Sequence, residues 1–384
     1  MASPRVAFVT GANGITGSAI TEYLAQNKKA SEFSKIIVTS RSPLQTSVTD
    51  SRITFIALDF TETPQTLIPR MQSLCSTVTH AYFSSYVHSD DFVKLNTLNH
   101  DIFENFLLAL VEVAPKLENV TLQTGGKYYG CHLAPIPSPS REDGPRFGPS
   151  NANFYYPQED FLASKQKNSS WTYNVIRPDA IIGTTPKPNG MNAAYTYAVY
   201  ILTCKHLGIP PRMPTNEFYW MSYEDSAYAP IIADLTVYAS TNPTCANHAF
   251  NVSNGDYFSW QTMWPQLTSY FGVETSPNPS FDRASIKNLT IGVPSQEVSL
   301  VEWATNDKRQ AWEQLCESTG CPEAKGSWDG ASWQMMDWVF GRTWSATVSI
   351  SKARRFGWNG YIDSYQAFVE TFERMKRLKQ IPTW

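Results

Sequence analysis

The chain has 384 residues, 42% of them hydrophobic, so it can bury a sizeable core and form one large α/β unit with an appended lobe. A formal net charge of −3 gives no positive field, which argues against nucleic-acid and anionic-membrane partners. Six scattered cysteines show neither zinc-site nor disulfide spacing, so we expect no metal site. The N-terminus runs directly into a short apolar strand, and no apolar run reaches the roughly 18 residues of a membrane span, which predicts a cytoplasmic protein.

Short apolar runs alternate with helical stretches through the first half of the chain. The predicted strands are residues 6–10, 36–39, 53–58, 78–84, 120–124 and 173–177, and the predicted helices include 18–26 and 91–113. This alternation is typical of a parallel sheet with helices on both faces, so the fold class is α/β, a Rossmann-type doubly wound sheet. Residues 134–153, rich in Pro, Ser, Gly and Asn, are predicted to form a loop.

The sequence changes in character in its second half, where Pro-rich turns, aromatic residues and longer helices dominate. We predict a Rossmann domain over residues 1–183 and a smaller, mostly helical substrate lobe over 184–384, with some segments returning to the sheet. An aromatic and Met-rich cluster in that lobe is interpreted first as core and second as a pocket lid. Its members are Trp333, Met335, Met336, Trp338, Phe340 and Trp344.

A glycine-rich turn links the first strand to the first helix. Glycines permit a tight turn and a close approach of the backbone to a pyrophosphate, which then sits on the helix N-terminus. The GxxGxxG spacing is similar to the TGxxGxxG form of extended short-chain dehydrogenases. The predicted cofactor-binding residues of this turn are Thr10, Gly11, Asn13, Gly14, Ile15 and Gly17.

The end of the second strand indicates which nicotinamide cofactor is used. An acidic residue there would bind both ribose hydroxyls of NADH and repel a 2′-phosphate. The chain instead has Ser40, Arg41 and Ser42, and Arg41 offers a planar bidentate donor for a phosphate. The predicted cofactor is therefore NADP(H), with Ser40 and Arg41 in its site.

No tyrosine in the chain is followed by a lysine four residues later, so the usual Tyr-x-x-x-Lys pair of short-chain dehydrogenases is missing. Two other stretches, residues 122–130 (LQTGGKYYG) and 153–160 (NFYYPQED), stand where a catalytic site is expected. Both resemble motifs of the progesterone 5β-reductase/iridoid synthase-like family (PRISE), atypical extended short-chain dehydrogenases, and the chain looks like a fungal or microbial member. The resemblance continues through residues 204–206, 249–256 and Trp264.

In that family the lysine of the first motif and the first tyrosine of the second are the catalytic pair, which implies Lys127 and Tyr155 here. The resemblance further implies cofactor contacts at the ends of later strands and at the catalytic tyrosine. These residues are Asp59, Phe60, Ser84, Ser85, Tyr155, Pro178 and Ile181. The chain departs from plant members at Gly126, where they carry Arg, and around residues 84–86, so their steroid or iridoid specificity is not carried over.

The chemistry of the pair follows from charge. Hydride addition to the β-carbon of an enone leaves negative charge on the carbonyl oxygen, and a phenol hydroxyl with a nearby ammonium stabilises that enolate. We also expect Lys127 to favour ionisation of Tyr155, so that the phenol donates a proton near neutral pH. Tyr156 is the better candidate for an aromatic packing position.

The leading hypothesis is an NADPH-dependent 1,4-reductase of an α,β-unsaturated carbonyl in a bulky apolar small molecule, such as a terpenoid or polyketide. The same oxyanion machinery would serve 1,2-reduction of a ketone to an alcohol, and the sequence does not separate the two. A non-redox cyclase or isomerase, or a non-catalytic NADP-binding sensor, could also be built on this fold. The partner is expected to be a small-molecule substrate, and a homodimer is compatible with the sequence.

Overall fold

A seven-stranded parallel sheet forms the centre of the molecule. The computed structural model describes residues 3–89, 91–148, 153–187, 192–275, 281 and 291–384. The strands of this part of the chain are β1 (Arg5–Thr10), β2 (Phe33–Ser40), β3 (Ile53–Ala57), β4 (His80–Phe83), β5 (Asn119–Gln123), β6 (Thr172–Pro178), β7 (Ile181–Ile182), β8 (Tyr223–Glu224), β9 (Ala227–Tyr228), β10 (His248–Val252) and β11 (Phe258–Ser259). The central sheet has the order β10-β6-β5-β4-β1-β2-β3, and two-stranded pairs join β7 to β9 and β8 to β11.

Helices cover the sheet and build the second half of the chain. They are α1 (Ile15–Asn27), α2 (Pro64–Cys75), α3 (Phe92–Val113), α4 (Tyr155–Gln166), α5 (Ala193–His206), α6 (Glu217–Met221), α7 (Ala229–Thr241), α8 (Trp260–Tyr270), α9 (Leu300–Trp303), α10 (Asn306–Ser318), α11 (Ser327–Gly330), α12 (Trp333–Phe340), α13 (Ser351–Arg355) and α14 (Ser364–Arg377). Short 3₁₀ turns occur at Gly126–Tyr129, Pro243–Cys245 and Pro322–Gly326. All the bounds refer to the described residues.

The sheet is buried on both faces because successive side chains of a strand point to opposite sides. In β1, Ala7 and Val9 pack with α1 and α7, whereas Val6 and Phe8 belong to the cluster that α2 and α3 complete. All four side chains are at most 8% exposed. The doubly wound Rossmann sheet predicted from the sequence is therefore confirmed.

The strands and helices predicted for the first half of the chain are present in the structure. The difference in bounds that matters most is at the first helix. That helix begins at Ile15 rather than at residue 18, so Gly17 lies inside its first turn. A Cβ atom on Gly17 would collide with the carbonyl group of Gly11. The third glycine therefore lets the helix begin directly against the preceding turn, a contact that spacing alone does not reveal. In the predicted loop 134–153, the described residues 134–148 hold no helix or extended strand, and residues 149–152 lie outside the described part.

Segments from the second half complete the sheet layer. The strand β10 pairs with β6 in parallel, and α7 packs beside α1. A separate aromatic core forms around α5, α8, α12 and α14. Within the predicted cluster of that region, Met336 and Phe340 are fully buried in this core, as expected, while Trp344 is 5% exposed and donates to the carbonyl oxygen of Cys131. The boundary between residues 183 and 184 stays a prediction.

Candidate active site

The turn between β1 and α1 has the geometry of a phosphate-binding loop. Gly11 has a φ of +64°, and a Cβ atom there would lie 2.7 Å from the Ser84 carbonyl oxygen, so only glycine fits. No side chain caps α1 at Gly14, and a Cβ atom on Gly14 would meet only the Gly11 carbonyl oxygen, at 3.1 Å. An uncapped helix N-terminus with open space in front of a glycine fits the pyrophosphate of a dinucleotide.

Hydrogen bonds join the ends of β1 and β4 beside this turn. The Ser84 amide donates to the Thr10 hydroxyl at 3.1 Å, and the Ser84 hydroxyl donates to the Thr10 carbonyl oxygen at 2.6 Å. These bonds fix the strand ends at the point where the order of the sheet reverses, which is where ligands bind in open α/β sheets. Thr10 and Ser84 therefore hold the ends of β1 and β4 together at this position, and Ser85 is the next residue along the chain.

Asn13 and Ser40 connect the phosphate loop to the proposed 2′-phosphate site. Asn13 Nδ2 donates to Ser40 Oγ, Ser42 Oγ and the Pro43 carbonyl oxygen at 3.0–3.1 Å, and the Ser40 hydroxyl donates to the Ser42 carbonyl oxygen at 2.5 Å. Both side chains thus hold the segment that carries Arg41, which is exposed. In the described residues Arg41 makes no hydrogen bond or ion pair, so its guanidinium is available to a ligand.

The remaining predicted cofactor residues lie at the same edge of the sheet, but they differ in how much of each residue can contact a ligand. Asp59 Oδ1 accepts hydrogen bonds from the Thr61 amide and hydroxyl. The ring of Phe60 is 5% exposed and belongs to the core, so only its main chain can face a ligand. Pro178 is buried at the end of β6, and Ile181 is half-buried in β7. Ligand contacts at these four positions stay predictions.

The main chains at Lys127 and Tyr155 are joined by one side chain, Asn153, that the sequence interpretation did not single out. Asn153 Nδ2 donates to the Lys127 carbonyl oxygen at 2.5 Å, and Asn153 Oδ1 accepts from the Tyr155 amide at 3.1 Å. Within the described part of the chain, neither the Lys127 ammonium nor the Tyr155 hydroxyl has a hydrogen-bond or ion-pair partner. Both side chains are half-buried. Two polar tips without partners at the carboxyl edge of a sheet are available to a substrate.

A buried platform supports the turn that carries Lys127. The Arg177 guanidinium stacks on the Tyr128 ring at 3.4 Å and forms hydrogen bonds of 2.8–3.0 Å from Nη2 to both carboxylate oxygens of Glu159. The Tyr129 hydroxyl donates to Asn251 Oδ1 at 2.5 Å. Strand β6, helix α4 and strand β10 thereby position the Gly126–Tyr129 turn. Glu159 belongs to the second motif, which gives that motif a structural role besides its tyrosine.

Tyr156 has the packing role that the sequence assigned to it. It is fully buried, its hydroxyl donates to the Tyr128 carbonyl oxygen at 2.6 Å, and it accepts from the Phe147 amide at 2.9 Å. The adjacent tyrosines therefore have different roles. Tyr156 anchors the second motif, and Tyr155 faces the candidate active site.

The ionisation of the pair differs from the expectation. Burial raises the pKa of Tyr155 well above its usual range, and Tyr86 and Cys131 raise it further. Burial lowers the pKa of Lys127, which Cys131 partly offsets. The Lys127 charge is not among the groups that determine the pKa of Tyr155, so the expectation that it favours the phenolate is wrong. Tyr155 is a neutral phenol near pH 7, suited to donating a hydrogen bond or a proton.

The sequence interpretation missed a buried charged cluster beside this pair. Asp179 follows β6, Glu224 and Asp225 come from the region of β8, and Arg342 follows α12. Arg342 Nη2 lies 2.5 Å from Glu224 Oε2. The first of these residues had a local signal, an acidic side chain directly after a strand of the sheet. The others come from distant segments whose spacing carries no such signal.

A metal site and a membrane span are the remaining features to consider. Among the described residues, His100, Asp101 and Glu104 lie close enough to hold a metal ion, but they form an exposed or half-exposed group on α3, where acidic clusters are common without one. In the same residues, no helix combines the length and the apolar character needed to cross a bilayer.

A Rossmann sheet with a glycine turn after β1 and a phenol–ammonium pair at the ends of later strands defines an oxidoreductase of the short-chain dehydrogenase/reductase type. The model of the PRISE-like Rossmann-fold domain matches residues 7–289, most of the chain. The chain belongs to this family, which confirms the resemblance found in its motifs.

Relatives of known name agree with this membership. The short chain dehydrogenase gsfE of Penicillium aethiopicum is 51% identical over 380 residues, covering 99% of this chain and 100% of the relative. The 3-oxo-Delta(4,5)-steroid 5-beta-reductase of Arabidopsis thaliana is 29% identical over 387 residues, covering 98% and 93%. Gre2 from Candida albicans, solved with NADPH, superposes with a TM-score of 0.59 at 13% identity over 98% of this chain and 99% of that chain, which supports the fold. The fungal relative agrees with the fungal or microbial type that the sequence indicated.

Proposed function

We propose that the protein is an NADPH-dependent reductase that saturates the carbon–carbon double bond of an α,β-unsaturated carbonyl in a bulky apolar small molecule. The observation that carries the proposal is the Asn153 clamp, which joins the main chains at Lys127 and Tyr155, two residues whose polar side-chain tips have no partner among the described residues. Such a pair suits one developing oxyanion. The Arabidopsis relative is named for reducing a 3-oxo-Delta(4,5) steroid, a conjugated enone, which favours 1,4-reduction.

The cofactor would be held by the glycine turn and by Arg41. Gly11, Gly14 and the uncapped start of α1 receive the pyrophosphate, and the exposed guanidinium of Arg41 receives the 2′-phosphate. When bound, NADPH supplies hydride to the β-carbon of the enone.

The chain's own residues act at the carbonyl end of the substrate. The neutral Tyr155 hydroxyl donates a hydrogen bond to the carbonyl oxygen, and the Lys127 ammonium adds positive charge beside it. Both interactions strengthen as negative charge develops on that oxygen, so they stabilise the transition state more than the bound substrate. Partial burial strengthens them further, since the local dielectric constant is below that of water.

The test is to incubate the protein with NADPH and a panel of cyclic enones and ketones, and to follow cofactor oxidation and the product. We expect NADPH to be consumed in equal amount to a saturated ketone, with hydride from labelled cofactor at the β-carbon. An allylic alcohol as product would assign the chemistry to 1,2-reduction instead. Product formation without cofactor consumption would indicate a cyclase or isomerase, and cofactor binding without turnover of any compound would indicate a sensor.

A further inference from the structure

The last helix of the chain, α14, connects the second half of the molecule with the candidate cofactor site. One face of α14 carries Phe368 and Phe372, which are fully buried in the aromatic core around α5, α8 and α12. Near the C-terminal end of the helix, Arg374 forms an ion pair with Glu22 of α1. Because α1 is the helix whose N-terminus would receive the pyrophosphate, the far end of the chain contacts the cofactor-binding half directly.

This ion pair is well defined. Arg374 Nη1 donates to Glu22 Oε2 at 2.6 Å, and Nη2 donates to Glu22 Oε1. The two side chains are 23% and 12% exposed, so the pair lies largely out of water. Two parallel bonds from one guanidinium fix the orientation of a carboxylate as well as its position. The pair is therefore a rigid contact between α14 and α1.

A third side chain completes the contact and belongs to the segment that carries Arg41. Ser47 Oγ accepts a hydrogen bond from Arg374 Nη2 at 2.9 Å and donates one to Glu22 Oε1 at 2.8 Å. Each of the three side chains thus bonds the other two. Ser47 is exposed, so these hydrogen bonds, and not burial, hold it against the ion pair.

Residues 41–47 are consequently held at both ends. They form neither helix nor strand. Asn13 holds the first part through the hydrogen bonds described above, and its Oδ1 accepts from the Gln45 amide at 2.8 Å. The contact of Ser47 with Arg374 and Glu22 holds the last part. A segment that is already ordered before the ligand arrives avoids the loss of conformational entropy that binding would otherwise require.

The helix that supplies Arg374 is itself fixed at its other end. The Ser364 amide and hydroxyl donate to the two carboxylate oxygens of Asp256 at 2.8 and 2.6 Å. Asn254 Nδ2 donates to the Ser364 hydroxyl at 3.1 Å. With its N-terminal end bound in this way and its middle in the aromatic core, α14 is a fixed support to which residues 41–47 attach.

We propose that Arg374 and Ser47 are positioning residues for the 2′-phosphate of NADPH, through which the C-terminal helix holds Arg41 in its binding conformation. The inference deepens the proposed function and rests on its assignment of Arg41 to that phosphate. Neither residue has to touch the cofactor. Without their contact, Arg41 keeps its charge, but the phosphate has to order the segment on binding, which weakens affinity. NADH has no 2′-phosphate, so its affinity is independent of the contact.

The test is calorimetric titration of the full chain with NADPH and with NADH, which requires no turnover. Ser47→Ala keeps the ion pair and removes only the segment's hydrogen bonds to it, so NADPH affinity should fall by about threefold to fivefold. Arg374→Met should lower NADPH affinity by about tenfold, since it also leaves the Glu22 carboxylate beside the segment without its counter-charge. NADH affinity should change by less than about twofold in both variants, because the phosphate is missing.

Two further variants separate positioning from charge. Arg374→Lys keeps the positive charge without the two-pronged guanidinium, so its NADPH affinity should lie between those of the unaltered protein and Arg374→Met. Arg377→Met is the matched control, because it removes the same charge from an exposed position on the same helix. It should leave both affinities unchanged. The double variant of Ser47→Ala and Arg374→Met should be no worse than Arg374→Met, since both changes remove one contact.

The outcomes that would overturn the proposal differ from those that would overturn the proposed function. Unchanged NADPH affinity in Ser47→Ala and Arg374→Met, or equal weakening of NADPH and NADH, would remove the positioning role. Ser47→Ala decides alone if Arg374→Met folds poorly, because an exposed serine contributes little to the core. If Arg41→Ala weakens NADPH selectively while these variants do not, only the role of the helix is wrong. If Arg41→Ala weakens both cofactors equally, the 2′-phosphate site itself is wrong, and the role of Arg374 falls with it.

Discussion

The cofactor end and the substrate end of the sheet edge are built in different ways. At the cofactor end, the glycine turn and the Ser40–Arg41 segment both come from the first 45 residues, and they are fixed by main-chain fit and by the Asn13 hydrogen bonds. At the substrate end, Tyr155, Glu224 and Arg342 come from distant segments; Asn153 holds Tyr155, and a buried ion pair holds Glu224 and Arg342.

This difference has a physical reason. A pyrophosphate is the same ligand in every dinucleotide enzyme, so a short turn with glycines at fixed spacing meets its needs. A substrate pocket must match one molecule, and its polar groups are effective only when they are desolvated and oriented by partners from several elements. The following variants test the two ends separately.

The largest effect is expected at the substrate end, from the catalytic pair. Tyr155→Phe and Lys127→Ala should each lower kcat by about 100-fold or more, because each removes a donor to the same developing oxyanion. The double variant should be little worse than the poorer single one, since either change already dismantles the unit. Steady-state kinetics with the panel enone that is turned over fastest provide the measurement. NADP affinity should stay within a few-fold in Tyr155→Phe.

The matched control for this prediction is the neighbouring tyrosine. Tyr156→Phe removes a buried hydroxyl that bonds the Tyr128 carbonyl oxygen, so it should lower the free energy of unfolding by about 1 kcal/mol and spare kcat. A mild effect of Tyr155→Phe alone would point to a strongly activated enal as the substrate. Mild effects in both single variants and in the double variant would contradict the assignment of the pair.

The next largest effect is expected at the cofactor end. Gly14→Val should weaken NADPH binding by about 100-fold, roughly 2.7 kcal/mol, because the side chain would stand where the pyrophosphate approaches the backbone. The protein should still fold, since a Cβ atom at this position meets only the Gly11 carbonyl oxygen. Calorimetric titration with NADPH gives the affinity, and circular dichroism checks the fold. Unchanged affinity would mean that this turn does not hold the phosphates.

The same contrast explains what the sequence could predict. The strands and the glycine turn could be predicted because their signals lie within a few neighbouring residues. The pair Lys127 and Tyr155 was reached only through motif resemblance, since no local physical rule singles out a lysine on a 3₁₀ turn. The clamp by Asn153 lay inside a quoted motif, yet its role depends on a contact 26 residues away along the chain.

The buried acidic residues could not be predicted from sequence patterns for a further reason. Asp225 and Glu224 stand where an ordinary surface loop would also carry acidic residues, and only the fold shows that they are 1% and 3% exposed. The ionisation of Tyr155 was misjudged on the same ground, since burial is the largest cause that raises its pKa. Desolvation is a property of the packed structure, which spacing does not encode.

A smaller effect, specific to the cofactor type, is expected from Arg41→Ala. The loss of a charge-assisted contact to the 2′-phosphate should cost roughly 1.5–3 kcal/mol, or about one to two decades in NADPH affinity. NADH lacks that phosphate, so its affinity should change little. Titration of both cofactors against the variant measures the difference. Equal weakening of NADPH and NADH would remove Arg41 from the phosphate site.

The smallest effect is expected from Asp225→Asn on stability, and its sign depends on pH. Burial in the folded protein raises the pKa of Asp225 above its ordinary value of 3.8, so above about pH 4 the unfolded chain has released a proton that the folded protein retains. The free energy of unfolding therefore falls as pH rises from about 4 toward neutrality. An asparagine cannot ionise, and its side-chain oxygen can still accept a hydrogen bond from the Val348 amide. The free energy of unfolding of the variant should therefore depend less on pH. Between pH 4 and pH 7, the difference in free energy of unfolding between the two proteins should shift by about 1 kcal/mol in favour of the variant. Urea unfolding at the two pH values measures this, with Asp143→Asn as the exposed control that should follow the unaltered protein. Parallel pH dependences in all three proteins would show that the Asp225 carboxyl ionises normally and would contradict the prediction.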